Sequence, residues 1–131
     1  MALRRPLVLL AEDDHEMRRL VADALRGDGY DVEELPDGSW LLGRVARAHA
    51  EPPLSVALIL TDVRMPGCSG LDVLKGVRAA RWQVPFILMT AFGDDEIRES
   101  ALALGATLFD KPFAIEELCA AVRLLVPTGA G

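Results

Sequence analysis

Short, unbroken apolar runs alternate along this chain with longer segments in which apolar residues return every third or fourth position. The first run, Leu7-Val8-Leu9-Leu10-Ala11, has the length of a buried strand and stops at the acidic triplet Glu12-Asp13-Asp14. Met17, Leu20, Val21, Ala24 and Leu25 then recur at helical spacing until Gly27 and Gly29 end the helix. A more polar strand covers 30–35 and closes at the turn residues Pro36, Asp37 and Gly38. The next helix spans about 39–48, with Leu41, Leu42 and Val45 as its core contacts, and Glu51-Pro52-Pro53 marks a loop. The clearest buried strand, 56–60, ends at Thr61-Asp62. Met65 to Gly70 reads as loop, 71–80 as helix, 85–89 as strand, and 94–104 as a helix closed by Gly105. A short strand at 107–109 precedes a last helix with Ile115, Leu118, Cys119, Val122 and Leu125 on one face.

Five strands alternating with five helices require a mostly parallel sheet covered on both faces, which is why the central strands are apolar throughout. The predicted architecture is a doubly wound α/β domain, (βα)5 and flavodoxin-like, with strand order 2-1-3-4-5. A length of 131 residues suits one domain, read as residues 1–126 with a tail at 127–131.

Composition narrows the function. A net charge of −6 argues against direct nucleic-acid binding, which needs clustered Lys and Arg. No apolar run approaches the ~20 residues that span a bilayer, and acidic residues follow the first run at once, so neither a membrane span nor a secretory leader is expected. Cys68 and Cys119 form no C-x-x-C pair and read as free thiols of a cytoplasmic protein.

The strand ends carry the chemistry. In open α/β sheets, sites form outside the carboxyl ends of the strands, where strand order reverses. Those ends supply Glu12 and Asp13 after strand one, Asp62 after strand three, Thr90 after strand four and Lys111 after strand five. Strands one and three are neighbours in the predicted order, so three carboxylates converge, and like charges converge favourably when a cation sits among them. Hard oxygen donors without His or Cys favour Mg²⁺, with Mn²⁺ as the alternative ion. Lys111 and the Thr90 hydroxyl suit the other side of a transferred phosphoryl group. A carboxylate can itself act as nucleophile, and Asp62 is the candidate because its strand is the most central.

At these residues the chain resembles the receiver domain of bacterial response regulators, from about residue 7 to 126. The marks are Leu9-Leu10-Ala11-Glu12-Asp13-Asp14, Leu60-Thr61-Asp62-Val63-Arg64-Met65-Pro66-Gly67, Met89-Thr90-Ala91 and Asp110-Lys111-Pro112-Phe113. Four motifs in order, each at a strand end, make the resemblance specific. It implies that Asp62 is phosphorylated by a sensor histidine kinase or a histidine phosphotransfer protein. It implies Asp13 as a direct Mg²⁺ ligand, Glu12 as a ligand through water, and the Arg64 backbone carbonyl as the third protein ligand. Thr90 matches the family's switch hydroxyl and Lys111 its lysine, and the bond before Pro112 is expected to be cis. The resemblance also implies a partner face on helix four, strand five and helix five, through which homodimers form. Two departures stand out. The family's switch aromatic lies three residues before the lysine, where this chain has Leu108. Phe109 comes one place later and should face the opposite side, and the stretch 105–111 is one residue shorter than usual.

The remaining polar residues carry plainer expectations. Asp14 reads as a helix cap, His15 as a surface histidine, and Arg18 with Arg19 as either a partner contact or a solvated helix face. Cys68 is expected to be a plain small residue near the site. Rival functions fit less well. A degenerate receiver acting by contact alone is suggested by Leu108, yet all five chemical positions are present. An aspartyl phosphatase expects a second acid where Arg64 stands, and no glycine-rich phosphate cradle exists.

Overall fold

The computed structural model describes residues 5–50, 56–91 and 95–128. Among these residues strands and helices alternate in ten elements: β1 (Leu7–Ala11), α1 (His15–Gly27), β2 (Asp31–Leu35), α2 (Gly38–Ala50), β3 (Val56–Asp62), α3 (Gly70–Ala79), β4 (Phe86–Ala91), α4 (Asp95–Ala103), β5 (Thr107–Lys111) and α5 (Ile115–Leu125). All neighbouring strands are parallel, and the order is β2-β1-β3-β4-β5, as expected for a flavodoxin-like doubly wound domain. Among the described residues no helix is long and apolar enough to cross a membrane.

Alternation along each strand divides the core in two. Leu9, Ile59 and Leu88 point to one face, where residues of α2, α3 and α4 cover them. Leu10, Leu60 and Met89 point to the other, beneath α1 and α5. Each fully buried Leu or Ile contributes roughly 1.5–3 kcal/mol, and β1, β3 and β4 hold almost nothing else. The sheet's centre is therefore a rigid platform for whatever stands at its carboxyl edge.

Local chemistry sets where helices begin. Asp14 caps α1, its carboxylate accepting the Met17 N–H at 3.1 Å, as expected. The Ser69 hydroxyl caps α3 by accepting the Asp72 N–H, so that helix starts at Gly70, inside the stretch expected to be loop. Three further expectations are corrected. Leu42 is half exposed, because the buried stripe of α2 runs through Gly38, Leu41, Arg44, Val45 and Ala48, and Leu42 lies a hundred degrees or so off the Leu41 direction. Leu125 is partly exposed at the last turn of α5. Strand β5 also runs two residues further than expected, to Lys111. The loop expected at Glu51-Pro52-Pro53, the first residue of the expected fourth helix, and the end of the expected tail lie outside the described residues.

One close approach ties α2 to the loop after β3. The Gly38 N–H donates to Pro66 O at 3.0 Å. A Cβ at Gly38 would sit 1.7 Å from the Cys68 carbonyl oxygen, so only glycine fits there.

Candidate functional site

Three strand ends and the turn after β1 build one crevice. Thr61 of β3 lies opposite Ala11 of β1, which sets Asp62 beside the first residues beyond β1. Glu12 is almost wholly buried, Asp62 is buried, and Asp13 is exposed. One carboxylate oxygen from each of Glu12, Asp13 and Asp62 lies within 4.8 Å of the others. From the far side Lys111, the last residue of β5, reaches across. Its Nζ donates to Glu12 Oε1 at 2.6 Å and to Asp62 Oδ2 at 2.9 Å. The peptide bond from Lys111 to Pro112 is cis, as expected.

The electrostatics follow from burial. Removal from water pushes the Glu12 carboxyl up to about 7, the Lys111 hydrogen bond opposes that, and the neighbouring Asp62 adds to it. For Lys111 burial alone favours the neutral amine. Its bonds to Glu12 and Asp62 outweigh this and hold its pKa above the ordinary value. One ammonium thus faces three carboxylates, an excess of negative charge that a divalent cation would balance. The donors are all hard oxygens, and no His or Cys is among them. The donor set fits Mg²⁺ or Mn²⁺.

Arg64 follows the crevice aspartate by two residues, and its backbone N–H donates to Asp62 Oδ1 at 3.4 Å, so this stretch of chain wraps over that carboxylate. Thr90 is buried near the end of β4 and its hydroxyl donates to Ala91 O at 3.3 Å. It makes no hydrogen bond to Asp62 or Lys111. The crevice therefore joins Glu12, Asp13, Asp62 and Lys111 directly, and Thr90 stands beside them without being tied in.

On β5 the alternation separates the two neighbours of interest. Leu108 packs on the face covered by α2, α3 and α4, whereas Phe109 packs on the α1 and α5 face, edge-on to Phe113 with ring centroids 5.8 Å apart. Asp110 pairs in register with Thr90 and forms an ion pair with Arg98 of α4 at 2.5 Å.

Arg18 departs from expectation. It does not stand on a solvated face: its side chain is 14% exposed, and Nη1 donates to Glu12 O at 2.8 Å. Helical periodicity alone carried no signal for this, because the contact runs from α1 back to the turn before it. His15 is exposed, as expected, with Nδ1 2.9 Å from Arg18 Nη2. Burial pushes the Cys68 thiol up, which suits an unreactive residue. A cavity of about 470 Å³ lies between β2 and α2, lined by Glu33, Trp40 and Arg44 among others, and shares no residue with the crevice. Convergent charge, and not volume, marks the site.

Comparison with known proteins agrees with this geometry. The response regulator receiver domain family matches residues 8–123. Sporulation initiation phosphotransferase F of Bacillus subtilis (strain 168) is 29% identical over 121 residues, covering 92% of this chain and 93% of that protein. Sensory transduction protein RegX3 of Mycobacterium tuberculosis (strain ATCC 25618 / H37Rv) is 34% identical over 123 residues, covering 93% of this chain. The chain spans about half the length of that relative, 51%. Among solved structures, the Francisella response regulator 1452 receiver domain superposes with a TM-score of 0.81 at 27% identity, covering 92% of this chain and 96% of that one. Vibrio cholerae chemotaxis protein CheY4 gives 0.77 at 28% identity, covering 94% and 100%.

Proposed function

Because the chain belongs to the response-regulator receiver-domain family, we propose that it is a phosphorylation-driven signalling module in which Asp62 accepts the phosphoryl group. The donor is a sensor histidine kinase or a histidine phosphotransfer protein. One observation carries the reading: Lys111 Nζ holds both Glu12 and Asp62 at hydrogen-bond distance while three carboxylate oxygens gather within 4.8 Å.

The chemistry needs little beyond placement and charge balance. An Asp62 carboxylate oxygen attacks phosphorus, the bond from phosphorus to the donor's nitrogen breaks, and the leaving imidazole keeps the electron pair and takes up a proton. Asp62 becomes a mixed anhydride. Lys111 pairs with the added negative charge, and the Thr90 hydroxyl turns from Ala91 O to donate to a phosphoryl oxygen. Asp13 and Asp62 directly, Glu12 through water, and the Arg64 backbone carbonyl would hold Mg²⁺, or Mn²⁺ in its place. The ion would supply charge neutralisation for the transferred group. The domain takes in residues 1–126, with 127–131 as a tail. Phosphorylation biases a two-state equilibrium in the face formed by α4, β5 and α5, where a partner or a second copy docks. No nucleic acid or membrane is contacted directly.

A second reading, a receiver acting by contact without phosphorylation, is favoured by Leu108 at the switch-aromatic position. Intact mass separates the two. After incubation with Mg²⁺ and acetyl phosphate, the mass of the chain should rise by one phosphoryl group, and the Asp62→Asn variant should show no rise. A wild-type chain that stays unlabelled would sink the first reading in favour of the second.

A further inference from the structure

We infer that Arg18 is the positioning residue that aims Asp13 into the ion site, an inference that rests on the reading just given. Asp13 is exposed, and no described residue hydrogen-bonds its carboxylate, yet an oxygen of it lies within 4.8 Å of its two partners. Something other than its own side chain must hold that direction. Glu12, the residue before it, is tied at every polar atom. Its N–H donates to Leu35 O at 3.2 Å, and its carboxylate receives Lys111 Nζ and, at 3.3 Å, the Asp14 N–H. Its carbonyl accepts Arg18 Nη1 at 2.8 Å. That carbonyl and the Asp13 N–H share one planar peptide unit, so gripping the oxygen fixes the plane from which the Asp13 side chain departs.

Arg18 is built to grip. Nη2 lies 2.9 Å from His15 Nδ1, and Nε lies 3.4 Å from Glu34 Oε1 on β2 without forming a hydrogen bond. Three directions of one rigid fork are thereby occupied, an arrangement a lysine cannot reproduce. A bare cation this close to an ion site would repel a divalent ion. Glu34, which also pairs with Arg19 and Arg26, offsets part of that charge, and the bond to Glu12 O supplies the geometric role.

Mn²⁺ binding to the whole chain, followed by the electron paramagnetic resonance of the free ion, tests the idea. Arg18→Met should weaken binding on the order of tenfold, the effect typical of losing a partner that orients a ligand. Arg18→Lys should weaken it by about threefold or more, and Glu34→Gln, which spares the grip on Glu12, by less than about twofold. The Mg²⁺ concentration that half-saturates labelling by acetyl phosphate should rise by the same factor. Unchanged affinity in Arg18→Met with an intact circular dichroism spectrum would overturn the inference. Should that variant not fold, unchanged affinity in Arg18→Lys would do so. Absence of Mn²⁺ binding by the wild-type chain would instead undo the function proposed above.

Discussion

The centre of the sheet and its β5 edge carry adjacent parts of one site on very different foundations. In β3, six of seven residues are buried, and Asp62 at its end is held by Lys111 and by the Arg64 N–H. In β5 every residue is partly exposed, and in the nine residues of α4 above it Ala101 is the buried one. α3 by contrast buries Gly70, Val73, Leu74 and Val77. Few buried apolar contacts mean a low local cost of opening. Under the proposed function, the contrast would put the phosphoryl chemistry on the stiff side and the change of shape on the loose side. Thr90 sits on the border, buried in β4 but paired across to Asp110 of β5.

Leu88 and Leu108 face each other across β4 and β5, so the same substitution measures the two foundations directly. Leu88→Ala, at a fully buried position, should cost about 3–5 kcal/mol, and Leu108→Ala about 1–2 kcal/mol, by urea denaturation. Equal losses would erase the distinction.

The stiff side also predicts a pH effect. Below the ordinary value of 4.5 Glu12 is protonated in folded and unfolded chains alike; between 4.5 and about 7 the folded chain keeps the proton and the unfolded chain has lost it. The unfolded state binds fewer protons there, so in the absence of metal this group makes stability fall as pH rises through that window and level off above it. Under the proposed function, an ion held by Glu12 through water would favour loss of the same proton. Mg²⁺ affinity by titration calorimetry should therefore rise about tenfold between pH 6 and 8 and flatten toward the upper end. A flat profile would show that Glu12 is ionised throughout.

The smallest effect belongs to the loose side. Arg98→Ala removes the partly exposed pair with Asp110 and should cost less than about 1 kcal/mol, less still at high salt. A larger loss in the denaturation midpoint would mean that α4 is anchored more firmly than its burial indicates.

Strand identity and the four strand-end motifs were legible because each rests on local pattern: unbroken apolar runs for buried strands, a polar residue where each run stops; strand order came with the doubly wound fold that those elements fit. The chain by itself determined that Glu12, Asp13, Asp62 and Lys111 would meet, since a parallel sheet of this order brings those ends to one edge. The tertiary structure decided what neither period nor propensity encodes. It set Arg18 against the Glu12 carbonyl, turned Leu42 outward, and placed Cys68 so close to α2 that Gly38 can carry no side chain. These depend on distances between segments packed after the strands align, and a one-dimensional pattern of apolar and polar residues specifies faces and ends but not the ångströms between them.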